Sequence, residues 1–328
     1  MKIPNSPRTG KPMLLKSEIQ QMPYRKMSFE VVYHFFECED TQMRGTTSEL
    51  DALNTEQVYQ QYRALHRLPF TNEIAEIRQK YGLPAITMSE ILGFGANSYR
   101  NYENGEVPSE ANGRLLQLIK NTQEFLKILD LSTIPDEEKD RIKQKIEIKN
   151  AKQAAPFNTE FFTTKPPSPL NGYRSFSISR AFAAIAFLAK ELQPTKTKLN
   201  KLLFYTDFIF FKQHAISFTG LEYRAIQYGP VPQNYDVLYA LAAQNNIVNI
   251  EVTEIYDKIG ERFLAIPNTD LNVLNETDTA HLQRIVTLFK DKTAKEISED
   301  SHNETAWLKA HELRTIIDYK TAFELKYF

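Results

Sequence analysis

Apolar and polar positions change period several times along the 328-residue chain. From Met27 to Glu37 (MSFEVVYHFFE), β-branched and aromatic residues predominate, which suits strands. From Ser48 to Arg67 the period becomes helical, with Leu50, Leu53, Val58 and Tyr62 on one side. Residues 1–67 therefore read as a small β-rich module followed by a helix. Between 69 and 130 the pattern predicts short helices joined by short loops. Asn72 is placed to cap the first, Ile74 and Ile77 give it an apolar face, and Gly82 ends it. Gly93, Gly95 and Gly105 punctuate two more, and a further helix starts near Ser109 and carries Leu115, Leu116, Leu118 and Ile119.

Asp136 to Lys152 (DEEKDRIKQKIEIKNAK) holds few apolar residues (Ile142, Ile146, Ile148), which predicts an exposed or linking helix. The proline-rich stretch Thr163 to Gly172 is the best break in the chain, centred on Pro166-Pro167. Beyond it the chain is mostly helical. Ala181–Leu192 and Lys196–Phe211 are strongly apolar, with Leu199, Leu202, Leu203 and Phe210 facing a core and Lys198 and Lys201 snorkelling outward. A strand-like insert spans Ile247–Thr253 and Arg262–Ile266.

The expected fold class is mainly α with small β elements (α+β). The expected segments are 1–67, 69–130, a charged and proline-rich linker at 131–173, and 174–328, with the last folding by itself from about Tyr173. Hydrophobic residues at 42% and charged residues at 25% are ordinary for a soluble globular chain. No run of about 18 apolar residues predicts a membrane span, and the first dozen residues lack the apolar core of a secretory signal. A single cysteine, Cys38, precludes an internal disulfide and fits a reducing, cytoplasmic setting. The net charge of −1 means that any nucleic-acid contact must be local.

Residues Glu76-Ile77-Arg78, Gly82, Met88–Gly93 (MSEILG) and Ser98–Pro108 (SYRNYENGEVP) carry a resemblance to the helix-turn-helix of Xre/Cro-like repressors, in their MqsA-like antitoxin branch. Tyr99 and Tyr102, three apart, should pack inward and leave Asn97, Ser98, Arg100 and Asn101 on the outer face. Asn can bond adenine bidentately and Arg can bond guanine O6 and N7, so this face is chemically able to read a major groove. The resemblance implies that Asn97, Ser98 and Asn101 approach base edges, that Arg100 meets a base or phosphate, and that Arg78 pairs with Glu103. The alternative is a helical bundle whose polar face is merely solvated. Residues 69–130 hold six Lys/Arg against eight Asp/Glu, net −2, so a single copy should bind DNA weakly; two copies on a palindromic operator would compensate.

The first module resembles the YgiT-type zinc finger that precedes this helix-turn-helix in MqsA-like proteins. Such fingers use two Cys-x-x-Cys pairs. Here the corresponding positions are Ser6 and Thr9, then Cys38 and Thr41. One thiolate cannot hold zinc, and neither His34 nor His66 is placed to help, so no metal and no cofactor are expected. The fold would rest on a small core including Phe29, Val31, Tyr33 and Phe35. Glu37, Glu39 and Asp40 beside Cys38 disfavour a thiolate there.

Three separated motifs carry a resemblance to the Panacea, or SocA-like, antitoxin domain: Lys198–Tyr205 (KLNKLLFY), Ala225–Pro232 (AIQYGPVP) and Ser301–Trp307 (SHNETAW). Tyr228-Gly229-Pro230 reads as a rigid turn able to serve as a docking surface. Tyr205, Tyr228, Pro230, His302 and Trp307 are the candidate toxin contacts; alternatively, Tyr205, Tyr228, His302 and Trp307 knit the domain core. No hydrolase, zinc-protease or phosphate-loop motif is present, so an enzyme is not expected. The resemblances together imply a cytoplasmic antitoxin that binds a toxin encoded in its own operon and represses that operon by binding its operator DNA. A plain transcription regulator that senses another protein or ligand through its C-terminal segment is the alternative. A phage-derived or phage-responsive protein without a toxin partner is a third.

Overall fold

A computed structural model describes residues 3–152, 162, 165–255, 258–267, 269 and 271–326. Part of the expected 131–173 linker lies outside the described residues. Strands β1 (Leu14–Tyr24), β2 (Met27–Glu37) and β3 (Arg44–Gly45) open the chain. Seven helices follow: α1 (Ser48–His66), α2 (Thr71–Tyr81), α3 (Ala85–Ile91), α4 (Ser98–Glu103), α5 (Glu110–Leu118), α6 (Thr122–Leu131) and α7 (Asp136–Lys152). Next come α8 (Ile178–Leu192), α9 (Lys196–His214), β4 (Tyr223–Ile226), β5 (Gly229–Pro232), α10 (Tyr235–Gln244), β6 (Val248–Ile255) and β7 (Lys258–Ala265). The chain ends on α11 (Glu276–Phe289), α12 (Ala294–His302), α13 (Thr305–Leu308) and a 3₁₀ turn at Tyr319–Glu324. The protein is thus mainly helical with small antiparallel sheets of two or three strands, as its patterning predicts. No helix among the described residues is long and apolar enough to cross a membrane.

Two compact units emerge. One combines residues 1–54 with 159–328; the other is 55–158. The sequence pattern suggested separate segments at 1–67 and 174–328, with the latter folding by itself from about Tyr173. The structure instead packs the β1–β2 hairpin against the end of the chain: the His34 ring lies 4.9 Å from that of Phe323, and Lys320 Nζ is 3.8 Å from Glu30.

In this first unit, β1 pairs with β2 along its whole length, Leu14 opposite Glu37 and Tyr24 opposite Met27. Phe29, Val31 and Phe35 are buried as expected, while Tyr33 is only half-buried. Phe36, Met13, Cys38 and Leu50 form a small core.

Helix α9 is the axis of the unit. Every residue from Leu199 to Phe211 is buried, so the helix has no solvent face and its polar residues need internal partners. Asp207 accepts from Thr219 N, Thr219 Oγ1 and the Tyr223 hydroxyl, each at 2.6 Å. Burial raises its pKa, and these hydrogen bonds oppose that shift. Arg180 of α8 forms a bidentate pair with Asp278 of α11 at 2.6 and 3.0 Å, while its guanidinium lies over Phe218.

Lys201 corrects the sequence reading. It is 1% exposed, and its Nζ donates to the Pro230 carbonyl at 2.9 Å rather than snorkelling. Among the described residues no carboxylate pairs with it, and burial pulls its pKa down to about 7.

The second unit is a helical bundle. Its core joins Ile74, Ile77 and Tyr81 of α2, Met88 and Ile91 of α3, Tyr99 and Tyr102 of α4, Leu116 of α5, and Phe125 and Leu129 of α6. Ile142 and Ile146 of α7 belong to the same core, so α7 is a packed helix rather than an exposed or linking one. Two residues one turn apart suffice because they share a face; Ile148 is exposed. Arg63 is fully buried, bonding Glu56 at 3.0 Å and the Gly105 carbonyl at 2.6 Å. Helix α2 starts earlier than Asn72: Phe70 is its N-cap, and Glu73 accepts the Phe70 N–H at 2.8 Å. Gly82 closes it in the left-handed conformation, φ 63°, where a side chain would be strained.

Candidate functional sites

In the second unit, α3 and α4 are joined by a turn in which Gly93 adopts φ +66°. Tyr99 is fully buried: its hydroxyl donates to the Ile74 carbonyl at 2.9 Å, and Ser89 Oγ accepts its backbone N–H at 3.1 Å. The Tyr102 hydroxyl accepts from Asn112 at 2.8 Å. These contacts fix the roll of α4 about its axis. Asn97, Arg100 and Asn101 are left exposed and Ser98 half-buried. Asn97 occupies the N-cap position without capping through its side chain. Among the described residues, Asn97, Arg100 and Asn101 make no side-chain hydrogen bond or ion pair. Arg78 Nε donates to Glu103 at 2.6 Å, tying α2 to the end of α4. Three unspent donor-bearing side chains on one braced helix are a surface that can bond base edges or phosphates.

In the first unit, β4 and β5 form a hairpin whose two loop residues are Gln227 and Tyr228. Gly229 is the first residue of β5 rather than the middle of the turn. Its φ is +94°, and a Cβ there would lie 2.6 Å from Ser301 Oγ and 2.9 Å from Lys201 Nζ. Only glycine fits this position. The Tyr228 side chain is pushed outward, 69% exposed. Beside this hairpin, Trp307 Nε1 donates to the Ile226 carbonyl at 2.9 Å. The Trp307 ring stacks on His311 at 4.2 Å and meets His302 at 4.5 Å. His302, Trp307 and His311 are all partly exposed. Burial, and then the nearby Lys201 charge, lower the His302 pKa, so the ring is neutral around pH 7.

Two of the five candidate contacts are corrected by this geometry. Tyr205 is fully buried, its ring 4.6 Å from that of Phe289 and its hydroxyl donating to Glu304 at 3.4 Å. Glu304 is itself buried, which raises its pKa. Pro230 is buried too, and its carbonyl serves Lys201. Neither offers a side chain to a partner. The surface group is Tyr228, His302, Trp307 and His311. His311 was missed by sequence reasoning, although its spacing four residues after Trp307 is a stacking signal.

The two segments likened in sequence to the finger's ligand pairs form matching turns. Ser6–Gly10 and Cys38–Gln42 are twin turns. In each, the N–H of the fifth residue donates to the carbonyl of the first at 2.8 Å, and the fifth residue is left-handed, φ +72° at Gly10 and +52° at Gln42. Ser6, Thr9 and Thr41 bring their hydroxyls to Cys38, with Thr9 Oγ1 3.5 Å from Sγ. Their hydrogen bonds lower the Cys38 pKa to about 6. The acidic neighbours Glu39 and Asp40 are exposed, so the hydroxyls prevail and the expectation of a disfavoured thiolate is corrected. Among the described residues, no cluster of three or more His, Cys, Asp or Glu is arranged to hold a metal ion.

Against this geometry, residues 199–308 match the family model described as antitoxin SocA-like, Panacea domain. The matched stretch begins within α9, contains the β4–β5 hairpin, and ends on the last residue of α13; it is similar to antitoxin-type domains. No curated protein and no solved structure matches the chain significantly.

Proposed function

We propose that the chain is the antitoxin of a toxin–antitoxin pair and acts as a stoichiometric binder rather than a catalyst. The observation that carries this reading is a coincidence of position. The stretch similar to antitoxin domains contains three members of the exposed aromatic group, Tyr228, His302 and Trp307, with His311 stacked on Trp307. Trp307, held by its bond to the Ile226 carbonyl and its stack on His311, loses little entropy on docking, and Trp and Tyr are the residues most often found at the centre of protein interfaces. The first unit holds the toxin through this surface. The second reads operator DNA through Asn97, Ser98, Arg100 and Asn101 and represses the shared operon in the cytoplasm. Its net negative charge favours two copies on a palindromic operator over one.

The test is co-expression with the short open reading frame beside the gene, scored by growth and by pull-down. The wild-type chain should rescue growth and capture the toxin, and Tyr228→Ala/Trp307→Ala should lose both while remaining folded. Absence of a toxic neighbour, or full rescue and capture by the double variant, would overturn the proposal.

A further inference from the structure

β1 is an edge strand with an unusual amount of unused bonding capacity. It pairs only with β2, and no backbone partner reaches its outer side among the described residues. Which of its groups face outward follows from β2. Asn54 brackets His34 from the far edge of β2: its Oδ1 accepts the His34 N–H at 2.8 Å and its Nδ2 donates to the His34 carbonyl at 2.9 Å. In an antiparallel ladder each residue sends N–H and C=O to the same side. His34 therefore faces away from β1, and its cross-strand partner Ser17 faces away from β2. Leu15, Ser17, Ile19 and Gln21 thus present their backbone groups to the open edge.

An edge of this length is normally blunted by charge, proline, a bulge or a cover. Here Pro23 sits near one end, the one lysine, Lys16, is engaged with Glu37, and Leu15 and Ile19 stand 48% and 63% exposed.

We infer that β1 is a self-association surface, on which two copies of the chain pair antiparallel about a two-fold axis at Ser17. The charges select this register. Centred on Ser17, each Lys16 lies opposite Glu18 of the second copy, twice over, and each Leu15 opposite Ile19. A register centred on Glu18 sets the two Glu18 side chains against each other, and one centred on Lys16 does the same with lysines. A register centred on Ile19 places Pro23, which has no N–H, opposite Leu15 at a hydrogen-bonding position. In the Ser17 register Pro23 falls outside the paired segment, and Leu15, Ser17 and Ile19 all bond in full. The Lys16 and Glu18 side chains are 46% and 38% exposed, so both can reach across. Arg44, which bonds Glu18 at 3.0 Å and Glu37 at 2.8 Å, would extend the ion pairs into a ladder alternating in sign. An isologous two-fold contact requires this kind of self-complementarity.

The readout is mass in solution, so the inference stands or falls separately from toxin and DNA binding. Sedimentation equilibrium on the full chain should show a concentration-dependent dimer. Lys16→Glu and Glu18→Lys, each confirmed as folded by circular dichroism, should each weaken it at least about tenfold by placing like charges opposite one another twice. Mixing these two variants should restore association as a heterodimer, since each supplies what the other lacks, and the double swap K16E/E18K should dimerise like the wild type. A wild-type chain that stays monomeric at high micromolar concentration would overturn the inference. So would a dimer indifferent to both charge reversals, or reversals that mixing fails to rescue.

Discussion

The Trp307 indole N–H donates to the carbonyl of Ile226 at 2.9 Å, so the side chain that anchors α13 also fixes the strand leading into Tyr228. The two aromatic residues therefore differ in what they do for the fold. Tyr228 is an exposed loop residue, and replacing it by alanine should leave the melting temperature unchanged within a degree or so while weakening toxin capture about tenfold or more, the loss typical of a central interface aromatic. Trp307→Ala removes packing and a hydrogen bond together, and should lower both stability and capture. Thermal melts alongside titration calorimetry separate the two cases. Tyr228→Ala with unchanged affinity would remove this hairpin from the interface.

The second unit offers a cleaner test of readout. Asn97 and Asn101 are exposed and their side chains do not hold α4 in place, so Asn97→Ala/Asn101→Ala should fold normally. Removing one bidentate bond to a base should cost about 1–3 kcal/mol on the operator and nothing on random sequence. Arg100→Ala should reduce specific affinity if it meets a base, or the salt slope by about one if it meets a phosphate. Gel-shift titration on the chain's own promoter at two salt concentrations measures both. Equal losses on operator and random DNA would place these asparagines on the backbone instead.

What the sequence made legible followed from local periodicity. The α2–α5 bundle, the glycine-ended helices and the β2 strand all announce themselves within about ten residues, because burial on one face imposes a period there. β1 did not, since none of its side chains is buried and its half-buried face imposes no apolar alternation on the sequence. The burial of Lys201 was equally invisible. Its neighbours give α9 an apolar face, but only the return of the β4–β5 hairpin over that helix places a carbonyl at its tip. Tyr205 and Pro230 failed as contacts for a related reason: a motif records which residues go together, not which of them face water. The partnership of Asp207 with Thr219 and Tyr223 depends on a loop fold that no spacing encodes.

The cluster around Cys38 yields a titration. The folded thiol pKa of about 6 lies below the unperturbed value of about 8.5. As a depressed acid, it contributes stability that is fully present above about pH 8.5 and lost as pH falls through about 6. Thiolate absorbance should titrate near pH 6, and Thr9→Val should move the midpoint upward by removing one hydroxyl donor. The twin turns also predict that Ser6→Cys/Thr9→Cys/Thr41→Cys, which places thiols at all four positions, will bind one zinc per chain. The wild-type chain should bind none by elemental analysis. A midpoint near 8.5 would mean that the hydroxyls do not donate to sulfur.

Lys201 makes the opposite kind of contribution. Its pKa is lowered by burial, so protonating it in the folded state is unfavourable. The penalty is absent above the unfolded lysine value of about 10.4, grows as pH falls, and is complete below about 7. Lys201→Met keeps the stem and removes the ionisable group. The difference in unfolding free energy between wild type and variant should therefore change with pH between about 7 and 10 and be flat below 7. Denaturant melts across that range provide the measurement, and a constant difference would show that Lys201 keeps an ordinary pKa.

Phe323 tests whether the N-terminal hairpin belongs to the body formed by the end of the chain. The ring is buried, 4.9 Å from His34 and 5.5 Å from Phe211, so it joins β2 to α9 through the last described turn. Truncating a buried phenylalanine typically costs about 3–5 kcal/mol through lost burial and the cavity left behind. Phe323→Ala should lower the stability of the first unit by an amount of that order. The loss should not stay with residues 306–324: amide protection should fall in β2, more than 280 residues away in sequence, because His34 loses its packing partner. The core of the second unit contains none of these residues, so amides of α2 and α6 should keep their protection. Hydrogen exchange resolved by mass spectrometry reads all three regions in one experiment. If β2 remains as protected as in the wild type while the chain end loosens, the hairpin is stable by itself, and a fragment beginning at Tyr173 should fold without it. If β2 loosens together with the chain end, that fragment should need residues 3–54 supplied alongside it to reach full stability.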